Sequence, residues 1–257
     1  MTALLSTHHA TMRFGGLVAV NDLTIELKKN SIVALIGPNG AGKTTAFNMI
    51  TGVYTPTAGN VVYRGEDLNR LRSDQITKMG IARTFQNIHL FKGLSVFDNV
   101  VVGGHCHKKY GLLASTFHLP GSVREEREMK RNVLVLLERL GLWAYRDKPA
   151  TSLPYGLQRR LEIARALMTR PEILLLDEPA AGMNPKESDD LAEFIKEIRN
   201  EFGLTIFLIE HHMQLVMDVS EEIYVLEYGN TIAHGTPAEI RDNPVVIKAY
   251  LGEEDIA

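Results

Sequence analysis

The sequence predicts an α/β protein: a mainly parallel sheet flanked by helices, with an antiparallel β subdomain at the N-terminal end and a helical subdomain between. Three observations predict it. Short β-rich runs broken by glycine turns, "IVALIG" and "NVVYRG" among them, fill residues 6–65. A glycine-rich stretch follows the first of these and opens straight into a helical pattern. After residue 170 apolar "EILLLDE", helical "KESDDLAEFIKEIRNEF" and apolar "TIFLIEH" alternate, as strands of a parallel sheet do with the helices that cover it.

The remaining elements follow in order. From about residue 66 the pattern turns helical, and Met129, Val133, Leu136, Leu137 and Leu140 recur at helical spacing in "EEREMKRNVLVLLERLG". Gly141 stands where a C-terminal cap glycine belongs. "EEIYVLEYGNTIAHG" reads as a hairpin turning near Gly229 and Asn230. Residues 107–128 read as an insertion with an apolar patch between charged flanks, either a surface excursion or a partner-docking element. No internal repeat or low-complexity segment interrupts the chain.

At 257 residues the chain suits one large domain or two lobes on a shared sheet. Its 45% apolar and 23% charged content is that of an ordinary globular protein. A formal charge of −3 gives no electrostatic ground for nucleic-acid binding, which calls for a basic excess or stripe. Cys106 is the single cysteine, so no internal disulfide forms, as suits a reducing compartment. The opening "MTALLSTHHATMRF" lacks the regions of a secretory signal, and no stretch approaches the roughly 18 apolar residues of a membrane span. A cytoplasmic location is expected, with any membrane link supplied by a partner.

"SIVALIGPNGAGKTTAFNMITG" matches G-x-x-x-x-G-K-[ST] between a strand and a helix, the context the motif requires. It marks a P-loop NTPase core. Its glycines let successive N–H groups face a phosphate, and the helix N-terminus adds the positive end of its dipole. Gly37, Asn39, Gly40, Ala41, Gly42, Lys43, Thr44 and Thr45 form the expected nucleotide-binding set. Lys43 is expected to reach the β- and γ-phosphates and Thr44 to ligate Mg²⁺.

"ILLLDEP" ends a buried apolar strand in Asp177 and Glu178. Charge at such a place needs a partner; Mg²⁺ would supply one for Asp177, and Glu178 would orient or deprotonate a water attacking the γ-phosphate. "TIFLIEHHM" ends a further strand in Glu210, His211 and His212. Ligands of open α/β sheets lie beyond the carboxyl ends of the strands, which puts a histidine here within reach of a γ-phosphate; a surface histidine is the plainer reading. Zinc is disfavoured, because the cysteine is distant and no second histidine pair has ligand spacing.

Taken in order, the glycine-rich loop, "RTFQ", "LPYGLQRR", "LLLDEP" and "IEHH" resemble the motif series of the ATP-binding subunits of ABC transporters, across nearly the whole chain. "MRFGGLVAVNDL", "DEPAAGMNP" and "GTPAEIRDNPVVIKAYLG" look most like the ATPase of bacterial branched-chain amino acid importers. The resemblance implies one ATP-binding domain over residues 4–252 with a 253–257 tail. Residues 4–85 and 160–252 would make the ATP-binding core with its β subdomain, and 86–159 the helical subdomain. It implies that Phe14 stacks on adenine, that Gln86 senses the γ-phosphate and Mg²⁺, that His211 is the switch histidine, and that Leu153 and Gly156 belong to a signature loop contacting ATP on the opposite subunit.

Departures from that pattern are equally plain. Pro154, Tyr155 and Leu157 replace the serine, first glycine and glutamine of L-S-G-G-Q, so the trans contact would rest on the backbone of a helix N-terminus following Gly156. Asn184 stands for the usual aspartate of a loop that crosses the dimer interface, and His212 for an aspartate after the switch histidine. The resemblance implies an ATPase that clamps two ATP molecules in a head-to-tail dimer with a second copy or a related subunit. That dimer would drive two membrane permeases, with an external solute-binding protein indirectly involved. An ATPase serving export or lipid extraction, a non-transport ABC ATPase and a P-loop kinase are the rival readings.

Overall fold

The computed structural model describes residues 3–107 and 120–251; residues 108–119 of the expected insertion, and the 253–257 tail, lie outside the described residues. The chain divides into two compact units, residues 1–83 with 172–257, and residues 84–171.

The first unit begins with β1 (Leu5–Phe14), β2 (Leu17–Leu27), β3 (Ile32–Ile36), α1 (Lys43–Ile50), β4 (Ala58–Tyr63), β5 (Glu66–Asp67), α2 (Ser73–Met79) and β6 (Ile81–Arg83). The second unit holds α3 (Val96–Gly104), α4 (Pro120–Arg139) and α5 (Tyr155–Leu167). The first unit resumes with β7 (Ile173–Asp177), α6 (Pro185–Phe202), β8 (Thr205–Ile209), α7 (Met213–Val219), β9 (Glu222–Glu227), β10 (Asn230–Gly235), α8 (Pro237–Arg241) and α9 (Pro244–Leu251).

Two sheets share the first unit. One is antiparallel in the order β2-β1-β4-β5. The other runs β10-β9-β3-β8-β7-β6 and is parallel except for the β9–β10 hairpin. Every residue of β3, β7 and β8 is buried, so these strands read as unbroken apolar runs rather than alternating ones. Phe47 of α1 packs on Phe207 of β8 with ring centroids 4.9 Å apart. Around that pair Leu23 and Ile25 of β2, Val61 of β4 and Val33, Leu35 and Leu175 of the parallel sheet form one core. Burying a ring such as Phe47 contributes about 1.5–3 kcal/mol, and it ties the helix behind the glycine-rich loop to both sheets. The β9–β10 hairpin turns on Tyr228 and Gly229, both at positive φ, as a two-residue turn matched to strand twist requires.

In the second unit, Asn99 is wholly buried. Its Nδ2 donates to the carbonyls of Phe91 (3.2 Å) and Ser95 (2.9 Å), and its Oδ1 accepts the Phe91 N–H at 2.9 Å, which fixes the turn leading into α3. The helix expected in "EEREMKRNVLVLLERLG" is described over Pro120–Arg139. "VREERE" consists mostly of good helix formers, so the charged flank of the expected insertion belongs to α4. Gly141 has φ +70°, as its cap role requires. The second unit ends just after α5, which buries Leu161, Ile163, Ala164 and Leu167, and the first unit resumes at Glu172.

The start of α6 depends on Asn184. Its side chain accepts the Glu187 N–H at 3.0 Å while Glu187 accepts the Asn184 N–H at 3.1 Å, with Pro185 at the first helical position. Asparagine caps as well as aspartate, so this departure leaves the helix intact. Asn184→Ala is expected to lower stability by about 1 kcal/mol, and Asn184→Asp to leave it unchanged, as read from urea denaturation midpoints.

Candidate active site

The glycine-rich loop leaves β3 at Gly37 and enters α1 at Lys43. A Cβ on Gly37 would lie 2.0 Å from the Leu226 carbonyl oxygen, and one on Gly42, at φ +102°, 2.4 Å from that of Ala19; neither position admits a side chain. The Gly229 N–H donates to the Ala41 carbonyl at 3.0 Å and the Asn21 N–H to the Gly229 carbonyl at 2.9 Å, so the loop is laced to the β9–β10 hairpin and to β2. At the start of α1 no side chain caps the helix and no acidic residue stands in its first turn. Such an end presents N–H groups and a positive dipole to an anion.

Asn39 to Thr45, Glu178 and His211 line one open cavity of about 340 Å³, together with Leu17, Val18 and Ala19 of β2 and Tyr228. Lys43 is 6% exposed, and its Nζ donates to the carbonyls of Gly37 (2.8 Å) and Pro38 (2.9 Å). Burial pushes the Lys43 pKa down, while the carboxylates of Glu178 and Asp177 pull it back up. Phe14 is not among the cavity's lining residues; it ends β1, 40% exposed, edge-on to Tyr54 with centroids 5.1 Å apart.

Glu178 and His211, 33 residues apart in sequence, meet: Glu178 Oε1 and His211 Nε2 are 2.7 Å apart. Glu178 has φ +44°, a conformation that is costly for a residue with a long side chain. Its N–H donates to the Ile209 carbonyl at 2.9 Å, which holds the strained turn. Such strain gathers where a side chain must be aimed.

Asp177 is buried and ion-paired with Arg83, Nη2 to Oδ2 at 2.6 Å, with the two side chains 9% and 6% exposed. Arg83 Nη1 also donates to Asn48 Oδ1 of α1 at 2.7 Å. Sequence reasoning passed over Arg83, although it opens "RTFQ", because nothing local marks its partner. It named Glu210 without giving it a role; Glu210 is 2% exposed and accepts the backbone N–H groups of Ala180 (2.7 Å), His211 (2.8 Å) and His212 (3.0 Å). A signal existed there, since an acid ending an apolar strand must find donors. His212, at the N-cap of α7, pairs through Nδ1 with Ser188 Oγ at 3.0 Å.

The donors near the loop suit Mg²⁺ bound to a phosphate. The exposed Thr44 lines the cavity; Asp177 is not among its lining residues, and its Oδ2 is paired with Arg83; among the described residues no cluster of three or more metal-ligating side chains forms a self-sufficient cage. Mg²⁺ is ordinarily held by one or two protein oxygens and the substrate's phosphates.

Gln86, Leu153 and Gly156 belong to the second unit. Phe85 and Gln86 offer their carbonyls to Arg159. Leu153 is 4% exposed, and its carbonyl accepts Gln158 Nε2 at 2.8 Å. The helix expected to follow Gly156 instead starts one residue before it: Pro154 is the N-cap, Tyr155 the first helical residue, and Gly156 lies inside the first turn. Pro154 gives the reason. At φ −53° it leads the chain directly into helix, and the first i to i−4 bond runs from the Gln158 N–H to the Pro154 carbonyl. A Cβ on Gly156 would touch nothing within 4 Å, so this face of the turn is open.

A family profile described as ABC transporter matches residues 20–181, and one described as branched-chain amino acid ATP-binding cassette transporter matches residues 230–256. The high-affinity branched-chain amino acid transport ATP-binding protein LivG of Salmonella typhimurium is 51% identical, covering 97% of this chain and 98% of its own. BraF of Pseudomonas aeruginosa, named for the same transport, is 49% identical with the same coverage. A solved ATP-binding cassette of an ABC transporter in its ADP conformation superposes with a TM-score of 0.86 at 31% identity, over 98% of this chain and 100% of that one.

Glu210→Ala would leave three backbone donors without their acceptor, at about 1–3 kcal/mol each where water cannot reach. We expect a loss of about 3 kcal/mol or more in urea unfolding, and a smaller loss for Glu210→Gln, which keeps one acceptor oxygen.

Proposed function

The chain belongs to the ABC transporter family, and from that membership we propose that it is the ATP-hydrolysing motor subunit of a membrane importer of branched-chain amino acids. The observation that carries the chemistry is the 2.7 Å pair of Glu178 and His211 on the wall of the cavity that the phosphate loop lines. The solute class rests on the identity with LivG and BraF.

The loop N–H groups and the start of α1 bind the β- and γ-phosphates of ATP, and Lys43 neutralises their charge. Thr44, Asp177 and Gln86 are the residues that would hold Mg²⁺, which would supply positive charge to offset that of the phosphates. His211 fixes the Glu178 carboxylate, which orients a water and takes its proton as the oxygen attacks the γ-phosphorus. The bond from that phosphorus to the β–γ bridging oxygen breaks, giving ADP and inorganic phosphate. Catalysis here is positional and electrostatic. Phe14 stacks on the adenine. Leu153 and Gly156 face the nucleotide of the other subunit, through N–H groups of the first turn of α5 rather than through a serine hydroxyl.

Closure of two such subunits, identical or related, pulls on two permeases; an external solute-binding protein delivers the amino acid. Among the described residues no helix is long and apolar enough to cross a membrane, and we place the chain on the cytoplasmic face of the membrane through those permeases.

Glu178→Gln is expected to bind ATP with unchanged affinity and to lose turnover by about 100-fold or more, measured by nucleotide titration and phosphate release; near-normal turnover would remove Glu178 from its role. Tagged protein drawn from detergent-solubilised native membranes is expected to bring two multi-span permeases and a second ATPase, and deletion of its gene to reduce leucine, isoleucine and valine uptake. Recovery of an export assembly with uptake intact would overturn the importer.

A further inference from the structure

Within the second unit, the stretch that carries Gln86 is gripped by a buried ion pair. Arg159 leads the fully buried side chains by volume, at 0% exposure, and Glu162 is 1% exposed. Arg159 Nη1 donates to Glu162 Oε2 at 2.6 Å and to the Phe85 carbonyl at 2.8 Å, while Nη2 donates to the Gln86 carbonyl at 2.8 Å. Glu162 Oε1 accepts the Phe85 N–H at 3.5 Å. Two side chains one turn apart on α5 therefore hold two acceptors and one donor of consecutive backbone residues.

Stability alone does not account for this arrangement. Burying two charges is costly, and an apolar pair of similar volume commonly serves a core as well or better. A guanidinium adds direction: its planar fork meets both carbonyls at fixed angles, which neither an ammonium nor an apolar side chain can do. The grip comes from the first two turns of α5, the helix that begins at Tyr155 beside Gly156.

We propose that Arg159, oriented by Glu162, is a positioning residue for Gln86: it fixes the main chain of residues 85 and 86 to α5, so that the glutamine and the helix behind the signature loop move as one body. The proposal rests on the role given to Gln86 above. Arg159 touches no nucleotide; it acts by setting where the Gln86 side chain starts from.

The test is a double-mutant cycle in the assembled complex, joining the apolar replacement Arg159→Met with Glu162→Leu, in the native and in the Gln86→Ala background. Removing both charges together avoids stranding one. The replaced protein is expected to unfold cooperatively and to bind ADP as before, since Lys43 and the phosphate loop belong to the other unit. Its kcat is expected to fall roughly 10- to 100-fold at unchanged KM for ATP, the scale of a misplaced positioning group. In the Gln86→Ala background the same replacement should cost nothing more, because residues acting through one group are not additive. A further loss of equal size in that background, or a native kcat in the Gln86-containing protein, overturns the proposal. If Gln86→Ala alone leaves kcat unchanged, the role of Gln86 fails and the proposal with it, an outcome distinct from additivity. Should the apolar pair not fold, Arg159→Lys, which keeps the charge and loses the fork, carries the same cycle.

Discussion

Asp177 lies opposite Ile209 where β7 and β8 run side by side, and the register of that parallel pair decides what meets at the end of the sheet. One residue on, the Glu178 N–H donates to the Ile209 carbonyl and the chain turns at positive φ. Two residues past Ile209, His211 reaches the Glu178 carboxylate. The register is held by Leu174, Leu176, Ile206 and Leu208, none of which is exposed. A slip of one residue would send every one of these side chains to the opposite face. Apolar packing thus sets the separation of two polar groups, and the glycine-rich loop at the end of neighbouring β3 shares the same edge.

That edge concentrates acid, and each carboxylate is compensated differently. Asp177 is paired with a buried guanidinium. Glu210 is satisfied by three backbone N–H groups, which also tie the turn after β7 to the turn after β8. Glu178, partly open to the cavity, is met by a histidine. Of the three, Glu178 is the one that lines the cavity. The strain of its backbone is carried by the hydrogen bond to Ile209, a division of labour expected where structure must hold a reactive group in an unfavourable conformation.

The phosphate loop is equally constrained. Its glycines press against the carbonyls of Leu226 and Ala19, so the backbone cannot relax toward the sheet or toward β2. Phe47 anchors the following helix in the core shared by both sheets. A loop built this way presents its N–H groups without reorganising, the condition under which fixed dipoles act most strongly on a substrate's charge. In the second unit α5 starts at Tyr155 because proline at its cap already has helical φ, so an altered signature sequence still ends in a helix N-terminus.

The sequence by itself determined what depends on neighbours in the chain. The glycine spacing before Lys43, the apolar runs ending in Asp177 and in Glu210, and the helical pattern from Lys186 are each set by local backbone preference and side-chain period, and each is where the pattern puts it. The ATP-binding family was legible for the same reason, since its motifs are local. Tertiary structure alone decided the pairings: Glu178 with His211, Arg83 with Asp177 across 94 residues, and Arg159 with Gln86 across 73. Those depend on which strands become neighbours and in what register, a property of the whole packed chain that no window of sequence contains. The earlier start of α5 was hidden for a smaller reason: proline can open a helix as readily as it breaks one, and only the surrounding packing settles which.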